Sequence, residues 1–361
     1  MFSIKSKKCS RISGEISVPG DKSISHRALI LGSCVSGITS IENLLEGEDV
    51  ICTIKALRSL GVKIKKQNKI WKVYGNGLGG LLNPEKKLYL GNSGTGVRLL
   101  IGLVSGSNLE VTFTGDHSLL KRPMKRIITP LEKTGSEIIC DQYRLPITVK
   151  GSRIPLPIKY KSELSSAQVK SAILLNGLTS TGKTIYTEKN KSRDHTEKML
   201  AFLGADIKSK ELSDGSNQVT LKGLPYLKSR HLIVPNDPSS AAFPAAVALL
   251  IPKSSILIKN VCINNLRIGF YYSLMEMGAE IKFINKNIIC GEEIADIRVK
   301  YSKLNGITLQ KERVPSMIDE FPIFSVIACF AKGTTIMKGI EELRNKESDR
   351  VKEIVDNLKK F

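Results

Sequence analysis

Pro19-Gly20-Asp21-Lys22-Ser23-Ile24-Ser25-His26-Arg27 sets a pattern that the rest of the chain repeats. It follows the strand-like alternation Gly14-Glu15-Ile16-Ser17-Val18, so a turn delivers Lys22 to the start of a helix. The apolar run Ala28 to Leu31 continues that helix, and Ile38-Thr39-Ser40-Ile41 then reads as a short β-branched strand. The same order of polar turn, apolar helix, Gly-containing turn and strand returns four more times. Its openings are Asn92-Ser93-Gly94-Thr95-Gly96, Ser165-Ser166-Ala167-Gln168, Ser239-Ser240-Ala241-Ala242 and Ser316-Met317-Ile318-Asp319-Glu320. The matching helices include Ala172 to Leu178 and Phe324 to Phe330. The strands are Leu109 to Phe113, Thr184 to Tyr186, Ser255 to Ile258 and Thr334 to Met337.

The repeat spans about 70 to 80 residues, so each copy is an α/β supersecondary module and not a turn of a solenoid. A second helix completes most copies, as in Asp49 to Leu60 or Asp194 to Phe202. A Gly-Val or Gly-Ala step into an extended segment follows, as in Gly61-Val62-Lys63-Ile64, Gly204-Ala205-Asp206-Ile207 and Gly278-Ala279-Glu280-Ile281. The fold class expected is α/β. With 361 residues, 41% of them hydrophobic, the chain can bury two ordinary cores, and two domains are expected.

Small hydroxyl residues at a helix start cap free backbone N–H groups and leave that end open to a ligand. Several such ends aimed at one place would make an anion site, since each adds partial positive charge and N–H donors. Ser and Gly also cap helices that bind nothing, so it is their recurrence at five openings that points to an anion. Ser23 and Arg27, four residues apart, share a helix face beside Lys22 at its tip. Gly91-Asn92-Ser93-Gly94-Thr95-Gly96 can bring backbone N–H groups close to an anion, but lacks the Gly-Lys-Ser/Thr ending of a nucleotide-binding loop. Lys121-Arg122-Pro123-Met124 puts a guanidinium, suited to bidentate phosphate or carboxylate capture, in an extended position before proline. Near the end, Met317-Ile318-Asp319-Glu320 and Asn345-Lys346-Glu347-Ser348-Asp349-Arg350 set acids beside cations, with Lys346 and Arg350 expected one helical turn apart. A salt-bridged surface helix is the plain alternative for the last of these.

The net charge of +21 fits nucleic acid, an anionic small substrate, or simply a lysine-rich surface. Its lysines run through segments such as Lys63-Ile64-Lys65-Lys66 without interleaved aromatics, and only 6% of residues are aromatic, so nucleic acid is not the expected partner. Met1 to Ser13 is basic but lacks the apolar run of a secretory signal. Ala241 to Ile251, the longest apolar stretch, is interrupted by Pro244 and falls short of a membrane span. The seven cysteines, Cys9, Cys34, Cys52, Cys140, Cys262, Cys290 and Cys329, are scattered. They read as reduced thiols of a cytoplasmic protein that binds neither membrane nor metal.

The segments taken together resemble the signatures of the 5-enolpyruvylshikimate-3-phosphate synthase family. They are Pro19 to Arg27, Leu44-Leu45-Glu46-Gly47-Glu48-Asp49-Val50, Gly91-Asn92, Lys121 to Met124, Ser166-Ala167-Gln168-Val169-Lys170-Ser171-Ala172, Arg193-Asp194-His195-Thr196-Glu197-Lys198-Met199, Asp237-Pro238-Ser239-Ser240 and Lys346 to Arg350. They stand in the family's order from about residue 12 to the last residue. The Ser-Ala-Gln and Arg-Asp-His-Thr-Glu forms are most similar to the bacterial class II group.

That resemblance implies two domains built from βαβαββ units around inward helices, an inside-out α/β barrel, with substrates in the cleft. Residues 1–20 would join 235–361 in one domain, and 21–234 would form the other. The sixth unit is expected to be missing, since the chain ends at Phe361 inside the amphipathic Val351 to Phe361, and exposed apolar surface is expected there. An Asp-His-Arg segment and a late Lys of the family have no counterpart, so a fragment that still binds shikimate 3-phosphate is the alternative expectation.

The resemblance further implies addition of the 5-hydroxyl of shikimate 3-phosphate to C2 of phosphoenolpyruvate, then loss of phosphate, without metal or cofactor. Lys22, Ser23, Arg27, Ser166, Ala167, Gln168, Arg193, Asp319 and Lys346 match positions around shikimate 3-phosphate. Lys22, Gly94, Arg122, Gln168 and Arg350 match positions around phosphoenolpyruvate. Asp319 and Glu347 would be catalytic acids and bases, with Lys22 beside them, and a monomer is expected. Gly94 stands where glyphosate-tolerant members carry Ala, so a full-length form is expected to be sensitive to glyphosate. Three rival readings stand beside this one: the sister transferase acting on UDP-N-acetylglucosamine, whose loop cysteine has no match here, a nucleic-acid-binding protein, and a non-catalytic remnant.

Overall fold

The computed structural model describes residue 5 and residues 7–360. Contacts divide the chain into two compact units, Gly20–Val234 and the pair Met1–Pro19 with Pro235–Phe361.

The larger unit holds helices α1 (Lys22–Ser33), α2 (Glu48–Ser59), α3 (Gly94–Ser105), α4 (His117–Leu120), α5 (Lys125–Glu132), α6 (Ala167–Gly177) and α7 (His195–Phe202). Three four-stranded sheets accompany them, and all have one topology. In the first, Ser36–Glu42 pairs in parallel with His231–Ile233 and antiparallel with Ile70–Asn76, which forms a hairpin with Lys63–Gln67. Leu88–Tyr89, Glu110–Thr114, Arg144–Lys150 and Glu137–Asp141 repeat that order, as do Lys159–Ser162, Lys183–Glu188, Asn217–Lys222 and Ile207–Glu211. Each sheet is therefore a parallel pair beside a hairpin; in the second and third the pair is joined through α3 and α6, the βαβαββ unit expected from the repeat, whereas in the first the partner strand His231–Ile233 comes from the end of the unit.

α1, α3 and α6 are buried along most of their length: apolar runs such as Leu99-Leu100-Ile101 and Ile173-Leu174-Leu175 line them, and the polar His26, Arg27 and Lys170 are buried with these. Gly102 makes the α3–α6 contact possible: a Cβ there would lie 2.4 Å from the carbonyl oxygen of Ala172, a backbone atom that cannot yield. The sheets turn alternate residues outward, as the lysines of Lys63–Gln67 show, so the helices form the core.

The smaller unit repeats the topology once in full. Ser13–Ile16 pairs in parallel with Ser255–Cys262, which pairs antiparallel with Glu292–Lys300 and, through it, Glu280–Ile289. Its helices are α8 (Pro238–Leu250), α9 (Gly269–Glu276), α10 (Phe321–Ala328) and α11 (Arg350–Leu358). Alanines 241, 242, 245, 246 and 248 let α8 pack closely into a core filled by Phe270, Tyr271, Phe321 and Phe324. A further parallel pair, Thr308–Leu309 with Ile336–Met337, has no hairpin beside it among the described residues. The strand expected at Thr334 to Met337 is two residues long, and among the described residues nothing pairs with its other edge. Phe243, Val247 and Phe330 are exposed in this unit. The seven cysteines are free thiols, and no described helix is long and apolar enough to cross a membrane.

Two sequence expectations need correction. The Ser-rich openings do not all cap through serine: Ser93 and Ser166 do, but α1 is capped by Asp21, which accepts from Ile24 N at 2.8 Å, and α8 by Asp237. A carboxylate there satisfies N–H groups that were expected to face a ligand. Lys346 and Arg350 do not share a helix either. Lys346 ends a 3₁₀ turn, Glu341–Asn345, and Asp349 caps a new helix by accepting from Lys352 N at 3.0 Å, so α11 starts at Arg350.

Candidate active site

In the larger unit, the first turns of α1, α3, α6 and α7 are joined by side chains. His26 on α1 is fully buried, with Nδ1 2.8 Å from Thr53 Oγ1 on α2 and Nε2 3.3 Å from Ser93 Oγ, the cap of α3. Thr53 gives its own proton to the Asp49 carbonyl at 3.4 Å, so its oxygen accepts from Nδ1–H and Nε2 is left to accept from Ser93. Burial, and then the charges of Lys22 and Arg27, lower the His26 pKa to about 3, so the ring is neutral near pH 7.

Arg27 is 3% exposed. Its Nε donates to Thr196 Oγ1 at 2.7 Å, Nη2 to Ser171 Oγ at 2.8 Å and Nη1 to the Ser23 carbonyl at 2.8 Å, tying α1 to α6 and α7. Gln168 Nε2 donates to Thr95 Oγ1 at 3.0 Å, tying α6 to α3. Arg122 reaches the same turn: its Nη2 donates to Asn92 Oδ1 at 2.7 Å, and a Cβ on Gly94 would meet its Nη1 at 2.5 Å. Lys22, at the tip of α1, is half-exposed and 3.2 Å from Asp49 Oδ2. Ser166 caps α6, with Ala167 its first residue. Arg193 lies, half-buried, in the loop before α7. Lys22, Ser23, Arg27, Gly94, Arg122, Ser166, Ala167, Gln168 and Arg193 thus stand at or beside linked helix starts, an arrangement suited to anions.

In the smaller unit, Arg350 gathers the acids. Its Nη2 donates to Glu347 Oε2 at 2.8 Å and its Nη1 lies 3.4 Å from Asp319 Oδ1. Lys346 Nζ is 3.9 Å from Glu342 Oε1, at the limit of an ion pair. Asp319 sits in the turn before α10, and its neighbour Glu320 is 2% exposed and accepts a short bond from Ser239 Oγ. Arg267, also buried, donates to Ser239 Oγ at 3.2 Å and Asp237 Oδ1 at 3.3 Å.

Sequence reasoning gave no role to the residues behind the site: Thr53 and Glu188, which lie outside the quoted segments, and Lys170, Ser171, Thr196 and Glu197, which lie inside them. One signal was available: Lys170 is a lone cation in a helix that otherwise reads Ala-Gln-Val-Ser-Ala-Ile-Leu-Leu. Its partners, distant in sequence, carried none.

Comparison with known proteins agrees with the resemblance. The family described as EPSP synthase (3-phosphoshikimate 1-carboxyvinyltransferase) matches residues 6–361. A 3-phosphoshikimate 1-carboxyvinyltransferase of Paracoccus denitrificans is 50% identical over 342 residues, 94% of this chain and 77% of the relative. One from Rhizobium johnstonii is 48% identical over 354 residues, covering 98% and 78%. Among solved structures, EPSP synthase of Acinetobacter baumannii superposes with a TM-score of 0.86 at 41% identity, over 97% of this chain and 78% of that one.

Proposed function

The chain belongs to the EPSP synthase family, and we propose which of its residues carry out that family's reaction. It transfers the enolpyruvyl group of phosphoenolpyruvate to shikimate 3-phosphate, a step of aromatic biosynthesis. In the proposed assignment Lys22, Ser23, Arg27, Ser166, Ala167, Gln168, Arg193, Asp319 and Lys346 take shikimate 3-phosphate. Lys22, Gly94, Arg122, Gln168 and Arg350 take phosphoenolpyruvate. The observation that carries this reading is the joining of the α1, α3, α6 and α7 starts through His26, Arg27 and Gln168, which gathers N–H dipole ends and cations in one region.

Asp319 removes the proton of the attacking 5-hydroxyl as oxygen bonds to C2 of phosphoenolpyruvate. Glu347 delivers a proton to the methylene carbon, giving the tetrahedral intermediate, and takes one back as the C–O bond to phosphate breaks and the double bond reforms. Arg350, bonded to both acids, fixes their relative orientation. Lys22 and Arg122 hold phosphate and carboxylate charge as it redistributes. The protein is proposed to act as a monomer in the cytoplasm and to be a target of glyphosate.

The test follows phosphate release with both substrates present. Release that needs shikimate 3-phosphate and phosphoenolpyruvate together, and is lost in Asp319→Asn, is expected. Release independent of Asp319, Glu347 and Lys22 in the respective variants would reject the assignment.

A further inference from the structure

α6 carries, in its first turn, a lysine that ought not to be there. Lys170 is 0% exposed, and a cation near a helix N-terminus is opposed by the helix dipole. It is held by acids from two other elements. Nζ donates to Glu188 Oε1 at 2.8 Å and to the Ser192 carbonyl at 3.0 Å, and stands 2.7 Å from Glu197 Oε1 on α7. Buried ion clusters of this kind add little net stability over apolar packing, so their worth lies in what they fix.

What this one fixes is the loop between Glu188 and α7. Glu188 closes its strand and, besides Lys170, accepts from Ser192 N at 3.0 Å and from Ser192 Oγ at 2.6 Å. Ser192 is therefore clamped through its N–H, carbonyl and hydroxyl, and the next residue is Arg193. On the other side of Lys170, the first turn of α6 presents Ser166, Ala167 and Gln168. The adjacent Ser171 joins Arg27 and Thr196 at 2.8 and 2.7 Å. One buried ammonium thus sits between the segments assigned to shikimate 3-phosphate.

We propose that Lys170, Glu188 and Ser192 are positioning residues for shikimate 3-phosphate, setting Arg193 against the start of α6. None of the three need touch the substrate. The inference rests on the site assignment given above. It makes the ion cluster a determinant of affinity for this substrate, not only of folding. Glu197 stands 2.7 Å from the same ammonium, and burial nonetheless holds its carboxyl above the ordinary range, against the pull of Lys170.

The experiment is calorimetric titration of shikimate 3-phosphate into the full chain, into Glu188→Gln and into Ser192→Ala. The second variant removes only the hydroxyl clamp and leaves no buried charge unpaired, so it keeps the test open should Glu188→Gln fail to fold. The fitted stoichiometry reports the folded fraction separately from Kd. A Kd raised about tenfold or more in Glu188→Gln and about threefold or more in Ser192→Ala, at unchanged stoichiometry, is expected. Lower stoichiometry with Kd unchanged would make the cluster merely structural and overturn the proposal. Absence of binding by the unaltered chain would overturn the site assignment itself, and the positioning role with it.

Discussion

A Cβ built on Gly94 would stand 2.5 Å from Nη1 of Arg122 and 2.9 Å from Nη1 of Arg98, so the bare α-carbon lets two guanidinium groups lie against the start of α3. Both are anchored: Arg122 to Asn92, and Arg98 to the carbonyls of Gly94 at 3.0 Å and Pro123 at 3.2 Å. The atoms in the way are the far ends of flexible side chains, so Gly94→Ala should fold while Arg122 moves. Steady-state inhibition is expected to show the glyphosate constant rising roughly 10- to 200-fold, the range for one added methyl in a fitted pocket. The thermal midpoint is expected to stay nearly constant. Equal inhibition of the two forms would reject the steric account.

Arg350 bridges Glu347 and Asp319, two acids 28 positions apart in sequence (347 − 319 = 28). If they act as base and proton carrier, Asp319→Asn and Glu347→Gln should each lower kcat by about 10²- to 10⁴-fold. Arg350→Lys keeps the charge but offers one nitrogen in place of a fork, so it is expected to raise the KM for phosphoenolpyruvate as well as lower kcat. Initial rates with each substrate varied separately distinguish the two effects. A kcat unchanged in Asp319→Asn would remove it from the chemistry.

Much of this arrangement was legible because its signals are local. Each helix start combines a turn with a capping residue a few positions apart, and the repeat of turn, helix and strand needs no long-range information. Where distant partners decide, the reading stopped short. The length of Ile336–Met337 depends on a strand edge that nothing pairs with among the described residues, and no inspection of Thr334 to Met337 could reveal it. The break between Lys346 and Arg350 was readable in principle, since Asp349 is a strong cap, but the charge spacing suggested one continuous turn. Lys170 was visible as an anomaly, and its acids, 18 and 27 residues away, were not (188 − 170 = 18; 197 − 170 = 27).

Arg27 uses three nitrogens on three different partners, a geometry that an ammonium cannot copy. Arg27→Lys retains the charge but leaves at least one of Thr196 and Ser171 without its donor inside the core. Loss of about 1–3 kcal/mol in urea unfolding is expected. The Kd for shikimate 3-phosphate should rise at least about tenfold, since the α1, α6 and α7 starts lose their common tie. Calorimetry that found wild-type affinity in a destabilised Arg27→Lys protein would separate Arg27 from binding and leave it a core residue only.

His26 makes stability depend on pH. Its pKa falls from 6.5 in the unfolded chain to about 3 in the buried site, through burial and then through Lys22 and Arg27. Between those values the unfolded chain binds a proton that the folded one refuses, so the stabilising contribution is complete above about pH 6.5 and is lost as pH falls toward 3. At 1.36 kcal/mol per pH unit the loss reaches about 2 kcal/mol by pH 5. Protonation would also turn Nε2 from an acceptor into a donor and oppose the Ser93 contact that sets the start of α3. Urea unfolding of wild type and His26→Gln at pH 8, 6.5 and 5 measures this: the difference in stability between the two proteins should shrink by about that amount on acidification. Parallel pH profiles would mean that the folded ring takes up its proton as readily as the unfolded one, and that burial does not keep it neutral below pH 6.5.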